Sequence, residues 1–105
     1  MEKLQSAQQF SQLANNSSVI FMFTAGWCPD CRVIDPIMPE VEKKFSEYQF
    51  VSVDRDEFID LCIDNDIYGI PSFLAYRGGV ERGRFVSRQR KTQEEIESFI
   101  SELSK

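Results

Sequence analysis

Histidine is missing from this 105-residue chain, cysteine occurs only three times, and no long apolar run is present. Without histidine, the chain lacks the side chain that most often serves as a general base or a metal ligand. Three cysteines are too few, and odd in number, for a fold held together by disulfides. Because no run approaches the roughly 18 apolar residues of a membrane span, we expect no transmembrane helix.

An excess of positive charge is also missing, since the formal net charge is −5. This balance argues against a nucleic-acid partner. The opening residues, MEKLQSAQQF, lack the basic start and apolar stretch of a signal peptide. We therefore expect a soluble cytoplasmic protein with no membrane partner. The length and the 42% hydrophobic content predict a single domain over residues 1–105.

Apolar periodicity predicts four strands and four helices. The strands are 19–23, whose continuous apolar run is typical of burial on both faces, then 48–54, 72–76 and 80–86, the last two joined by a Gly-Gly turn. The helices are 4–14, a segment that begins at the cysteine pair of residues 28 and 31 and runs to about 46, then 58–62 and 92–105. Pro36 and Pro39 are expected to kink the second of these helices. Strands that are linked through helices are expected to be parallel, and the two strands of the hairpin antiparallel. We therefore expect an α/β fold in which helices cover both faces of a mixed sheet.

The stretch TAGWCPDCR places Cys28 directly after the first of these strands, where a helix begins. Pro29 suits the first helical turn. The unpaired backbone amides there favour a thiolate, which predicts an exposed, attacking Cys28. Cys31 lies on the same helical face, so it is expected to be a buried thiol that resolves the mixed disulfide. Two other interpretations, half of a zinc site and a pair of inert core cysteines, fit less well. A zinc site needs two further ligands, and only Cys62 is left.

These features together resemble the thioredoxin family. The resemblance covers the whole chain: an apolar strand, WCPDC, a helix with Pro36, a distant Ile70–Pro71, a hairpin and a final helix. It implies a thioredoxin fold and thiol–disulfide exchange on protein disulfides. It also implies no bound cofactor or metal, a redox-active Cys28–Cys31 disulfide, and regeneration by a thioredoxin reductase that uses NADPH.

The resemblance also assigns roles around the dithiol. Ile70–Pro71 matches the family's cis-proline loop, in which the residue before the proline pairs its backbone with substrate. Trp27 would cover one side of the centre, or simply pack there.

The chain departs from the family pattern inside the sheet. The buried aspartate that assists the resolving thiol corresponds to Met22, six residues before Cys28, and its accompanying lysine corresponds to Phe50. We therefore expect a drier interior, slower resolution of mixed disulfides and a narrower or weaker reductase.

The charges near the dithiol also differ from the family pattern. Asp30 stands between the cysteines, and its carboxylate is expected to disfavour the thiolate and make the centre reducing, or merely to stabilise the first helical turn. Residues 77–91 hold six basic side chains against Glu81 alone. This segment either selects an acidic partner or forms a solvated face. Cys62 is expected in the core, with a regulatory thiol as the alternative.

Three functions remain open on this sequence. The first is a protein-disulfide reductase, favoured by the intact cysteine pair and Trp27. The second is a redox-sensing binding module with little turnover, favoured by the missing acid and the basic segment. The third is a reductase of peroxides or small disulfides.

The missing acid gives a direct prediction. Met22→Asp should speed turnover, because the new carboxylate accepts the proton of Cys31, and should lower the free energy of unfolding by about 3 kcal/mol. Disulfide reduction and denaturant unfolding measure the two effects. Met22→Asn is the control, since it is polar but not a base. An unchanged turnover rate in Met22→Asp would contradict the argument.

Overall fold

The computed structural model describes residues 1–104, which form one five-stranded mixed sheet in the order β1-β3-β2-β4-β5. The strands are β1 (Glu2–Lys3), β2 (Ser18–Thr24), β3 (Gln49–Asp54), β4 (Ser72–Arg77) and β5 (Val80–Phe85). The central strand β2 pairs in parallel with β3 and antiparallel with β4. At the edges, β1 is parallel to β3 and β5 is antiparallel to β4. The predicted mixed sheet is confirmed, and β1 is an addition too short to give a sequence pattern.

Five α-helices flank the sheet within the described residues. They are α1 (Ala7–Asn16), α2 (Pro29–Ile34), α3 (Met38–Lys44), α4 (Ile59–Asp64) and α5 (Gln93–Glu102). Lys105, the last residue of the predicted final helix, lies outside the described residues. No helix in residues 1–104 has the length and apolar character needed to cross a bilayer.

Alternate side chains of β2 enter two separate cores, one on each face of the sheet. Val19, Phe21 and Phe23 pack with residues of α1 and α4. Ile20 and Met22 pack on the other face with residues of α3 and α5. The continuous apolar run is thus explained, because a strand covered on both faces has no solvent side to carry polar residues. The prediction of a doubly buried strand is confirmed.

The start of the first predicted helix is wrong. Leu4 does not belong to a helix, because its N–H donates to the Ser52 carbonyl at 2.8 Å and extends the β1–β3 pairing. The helix begins at Ala7, where the Ser6 hydroxyl accepts from the Gln9 N–H at 3.0 Å and caps it. The apolar side chain of Leu4 matches the helical spacing of the residues that follow, but Leu4 itself belongs to the sheet.

The rule that helix-linked strands are parallel is also wrong for one connection. β3 and β4 are joined through α4, yet β4 runs antiparallel to β2 while β3 runs parallel to it. A parallel pair needs a crossover, but a connection that contains a helix can equally return a strand in the opposite direction. The chain passes from one side of β2 to the other, and strand direction there is a tertiary outcome.

Local turn signals are confirmed. Gly78 and Gly79, at φ +59° and +86°, make the tight turn between β4 and β5 in the left-handed region that glycine tolerates best. The kink expected from Pro36 and Pro39 is present as a single 3-10 turn at Asp35–Ile37 that separates α2 from α3.

Gly69 lies where two distant segments touch, immediately before Ile70–Pro71. A β-carbon at Gly69 would collide with the Ser87 carbonyl and lie 2.9 Å from the Arg88 Cα. Residues 86–91, which we term the basic loop, therefore pack directly on the loop that carries the proline.

Gly69→Ala should lower the free energy of unfolding by about 1–3 kcal/mol, because the colliding atoms belong to the backbone and cannot rotate away. Urea unfolding measures the loss. Gly26→Ala is the matched control, since nothing lies within 4 Å of a β-carbon there. Equal stability of the two variants would contradict the close approach.

Candidate active site at the Cys28–Cys31 dithiol

Cys28 caps the N-terminus of α2, as the sequence predicts. Its Sγ accepts a hydrogen bond from the Cys31 backbone N–H at 3.1 Å, and Pro29 occupies the first helical turn. Strand β2 ends at Thr24 and delivers the chain to this cap through Ala25, Gly26 and Trp27. The sulfur thus gives a partner to one of the backbone amides that are left unpaired at the start of a helix.

Cys31 lies behind the cap and is 1% exposed. Burial, followed by its hydrogen bond with Cys28, raises the pKa of Cys31 to about 11, against smaller opposing effects of Thr24 and Ala25. The thiol form of Cys31 therefore dominates at neutral pH. A buried thiol that ionises only late fits the role of the second, resolving sulfur.

The expected exposure of Cys28 is wrong. The residue is only 4% exposed, and it packs with Ala25 and Cys31 under Ile70. The cap turns its side chain back over the helix end, which hides most of its surface. Both cysteines are free thiols, so the structure shows the reduced dithiol.

The peptide bond between Ile70 and Pro71 is cis, as the resemblance implies. The Ile70 carbonyl lies 4.0 Å from the Cys28 Sγ, at the limit for a hydrogen bond donated by the thiol. The proline loop, forty-two residues away in the chain, thus lies directly beside the dithiol.

Trp27 is 57% exposed and stands at the rim of the site. Its Nε1–H donates to Asp56 Oδ2 at 2.8 Å, and the Arg55 guanidinium lies 5.7 Å from its ring centroid. The indole is therefore fixed from the β3–α4 connection, which sequence reasoning did not foresee. It lines the same groove as Cys28.

A shallow groove runs past Cys28 and is open to solvent. Its lining comes from four separate parts of the chain, namely Trp27 to Asp30, Arg55, Tyr68 to Ile70, and Arg88. Tyr68, which is 61% exposed, was missed by the sequence reasoning. Its ring lies 5.9 Å from the Arg88 guanidinium, and its hydroxyl donates to the Val86 carbonyl at 3.1 Å. Its position two residues before Ile70 was the available signal.

Asp30 does not stand alone beside the thiols. Its Oδ1 accepts from Arg90 Nε at 2.9 Å, an ion pair that joins α2 to the basic loop. The carboxylate sits in the first turn of α2, where acids are favourable. Because the positive charge of Arg90 partly offsets that of Asp30, the carboxylate opposes a thiolate at Cys28 less than an unpaired acid would.

The apolar replacements inside the sheet are buried where the sequence places them. Met22 and Phe50 both lie in the core on the α3–α5 face of the sheet. No carboxylate is among the groups that shift the pKa of Cys31. Among residues 1–104, therefore, no buried carboxylate is available to take the proton of Cys31, as the sequence predicts.

The basic side chains of residues 77–91 do not form one solvated face. Arg77 stacks on Tyr48, Arg84 pairs with Glu81, and Lys91 is buried. Arg88 lines the groove beside Cys28, and Arg90 pairs with Asp30. Cys62 is buried in the core on the α1–α4 face, as expected. Within residues 1–104, no three acidic or cysteine side chains converge as a group able to hold a metal ion.

Comparison with known proteins identifies the family of this chain. The family model for thioredoxin matches residues 1–102. A thioredoxin H-type of Fagopyrum esculentum is 35% identical over 89 residues, which cover 85% of this chain and 72% of that protein. Thioredoxin H2-1 of Oryza sativa is 32% identical over 85 residues, which cover 81% of this chain and 59% of that protein. The crystal structure of thioredoxin from Trypanosoma brucei brucei superposes with a TM-score of 0.86 at 20% identity, over 97% of this chain and 88% of that one.

The fold and the dithiol define a disulfide-exchange protein built on a mixed sheet. The chain belongs to the thioredoxin family. Its homologues support thiol–disulfide oxidoreductase function, and this favours an enzyme over a binding module.

The high pKa of Cys31 predicts the pH dependence of its reaction. Once Cys28 is held in a mixed disulfide, the rate of attack by Cys31 should rise up to about tenfold per pH unit from neutral pH upward, because the thiolate is the attacking species. Stopped-flow release of an aromatic thiol from Cys28 measures that rate. A rate that is flat between pH 7 and 9 would contradict the assignment.

Proposed function

We propose that the chain reduces disulfide bonds in proteins by dithiol exchange, with Cys28 as the nucleophile and Cys31 as the resolving thiol. The observation that carries the proposal is the cap at α2, in which a backbone N–H lies 3.1 Å from the Cys28 Sγ beside an open groove. A thiol held in this way is the one prepared to attack, because the helix end stabilises negative charge.

The exchange takes two steps. The Cys28 thiolate attacks one sulfur of the substrate disulfide, so that a Cys28–substrate bond forms and the other substrate sulfur leaves as a thiolate that takes up a proton. Cys31 then loses its proton and attacks the Cys28 Sγ, which releases the second substrate thiol and forms the Cys28–Cys31 disulfide. Two electrons pass from the dithiol to the substrate, and no bound cofactor or metal is needed.

The residues around the groove would hold the substrate. An extended segment of a substrate protein would lie along Ile70 and Pro71, with the Ile70 backbone as its hydrogen-bonding partner. Trp27 would support one side of that segment, while Pro29 and Asp30 shape the start of α2. The exposed rings of Trp27 and Tyr68 offer apolar area on either side of the dithiol.

Regeneration requires an external reductant, because exchange leaves the dithiol oxidised. We propose a thioredoxin reductase that draws electrons from NADPH, in the cytoplasm, as the partner. The apolar Met22 and the late ionisation of Cys31 support a reductase that is slower or narrower in substrate range than a general thioredoxin.

The decisive experiment is coupled turnover with NADPH, a thioredoxin reductase and insulin as the disulfide substrate. We expect sustained NADPH oxidation with the unmodified chain and at least a hundredfold loss in Cys28→Ser, because the attacking sulfur is gone. Cys62→Ser is the matched control, since it removes a buried thiol from the core on the α1–α4 face, outside the cluster that holds Cys28 and Cys31.

The outcomes separate the candidate functions. No turnover with the unmodified chain, despite reduction of its disulfide by the reductase, would favour the redox-sensing binding module. Equal loss in Cys28→Ser and Cys62→Ser would refute the assignment of Cys28. Covalent trapping of substrate proteins by Cys31→Ser would identify what the groove binds.

A further inference from the structure

Two arginines from distant parts of the chain line the groove beside Cys28. Arg55 follows strand β3, and Arg88 belongs to the basic loop. One acidic residue lines the same groove, Asp30, and its carboxylate is already paired with Arg90 at 2.9 Å. The chain as a whole has a formal net charge of −5. The positive lining of the groove therefore runs against the charge of the whole protein.

The guanidinium of Arg88 is held in place with its outer end unoccupied. Its Nε donates to the Tyr68 carbonyl at 3.4 Å, and its guanidinium carbon lies 5.9 Å from the Tyr68 ring centroid. The side chain is exposed, and no carboxylate within residues 1–104 forms an ion pair with it. In the same range, Nη1 and Nη2 have no hydrogen-bond partner. Two parallel N–H groups of this kind match the two oxygens of a carboxylate.

Arg55 has a similar setting, but its charge is partly offset. Its guanidinium carbon lies 5.7 Å from the Trp27 ring centroid. One terminal nitrogen is 3.5 Å from Asp56 Oδ1, in a pair whose side chains are 40% and 55% exposed. An ion pair this exposed is weak and screened by solvent. Arg55 therefore adds to the positive charge of the groove, but less than Arg88 does.

We propose that Arg88, assisted by Arg55, makes the groove select substrate proteins that carry an aspartate or glutamate beside the disulfide to be reduced. The inference rests on the proposed function, because it names the substrate class for exchange at Cys28. A disulfide reaches Cys28 along this groove, so the side chains next to that disulfide pass the two guanidinium groups. Complementary charge at such a contact raises the association rate and the specificity.

The rest of the lining suits a polypeptide as the carrier of that carboxylate. Trp27 and Tyr68 present exposed rings, and Ile70 brings a backbone carbonyl to 4.0 Å from the Cys28 Sγ. Rings and backbone groups of this kind contact a peptide whatever its sequence, whereas a guanidinium distinguishes an acidic side chain from a neutral one. The arginines are therefore the residues of the groove that set its preference.

The test uses two synthetic peptides that differ in one side chain. Each carries a central cysteine joined through a disulfide to 2-thiopyridine, which is uncharged, and has either glutamate or glutamine next to that cysteine. The Cys28 thiolate attacks the peptide sulfur, a Cys28–peptide disulfide forms, and the thiopyridine leaves as a thiolate that takes up a proton. Stopped-flow absorbance of the released thiopyridone measures the rate constant of this first step.

We expect the glutamate peptide to react about three- to tenfold faster than the glutamine peptide at low salt. The preference should shrink in about 0.5 M salt, because ions screen exposed charges. Repulsion by the net negative chain alone would give the opposite salt dependence. Arg88→Gln should remove most of the preference, Arg88→Glu should reverse it, and Arg55→Gln should reduce it less.

Arg82→Gln is the matched control, since it removes an arginine from an exposed position on β5 outside the groove. It should leave the ratio of the two rate constants unchanged. The ratio separates charge from structure, because a disturbed loop slows both peptides alike. An unmodified chain with no preference, or an Arg88→Gln variant that keeps it, would overturn the proposal.

Failure of the proposed function gives a different result. If neither peptide reacts faster with the unmodified chain than with Cys28→Ser, the exchange chemistry fails. Binding of the same two peptides with serine in place of cysteine, followed by nuclear magnetic resonance shifts at Tyr68 and Arg88, then decides the charge preference. Tighter binding of the glutamate peptide would support it, and equal binding would refute it.

Discussion

The hydrogen bond from the Cys31 amide to the Cys28 Sγ is the interaction on which the site depends. It makes one sulfur the cap of a helix and leaves the other buried behind it, so two identical side chains acquire different chemistry. The same contact hides most of Cys28, which explains why a nucleophile can be buried in the reduced protein. Access to it must come along the groove, past Trp27 and Ile70.

The cap stays in place because the sheet and the prolines hold its two ends. On one side, β2 is covered on both faces and pairs with neighbours on both edges, so its carboxyl end is a rigid point of departure. On the other side, the 3-10 turn at Asp35–Ile37 lets the short helix α2 separate from α3 and point its N-terminus at the groove. The groove is then completed by loops that are distant in the chain.

Charge around the dithiol follows a different plan from the one that the family resemblance implies. The interior of the sheet is apolar at Met22 and Phe50, while the basic loop brings Arg90 to Asp30 and buries Lys91. The charged side chains of this region therefore lie in a loop and not in the central strands. The loop is fixed by its close approach to Gly69 and by its ion pair with Asp30.

Much of the site and most of the fold could be predicted from the sequence. The doubly buried β2, the Gly78–Gly79 turn, the proline kink and the cap at Cys28 all follow from local rules, and the cis Ile70–Pro71 bond followed from family resemblance. Local rules did not predict three features: the direction of β4, the pairing of Leu4 with β3, and the burial of Cys28. Each of these depends on partners far away in the chain.

The sequence by itself determined the chemistry, because two cysteines at a strand-to-helix junction with no histidine leave dithiol exchange as the reaction that fits best. Tertiary structure alone decided which charges meet that dithiol. The six basic residues of the 77–91 segment look equivalent in the sequence, yet one pairs with Asp30, one stacks on Tyr68 and one is buried. Contacts of this kind depend on how distant loops pack, and no local pattern encodes them.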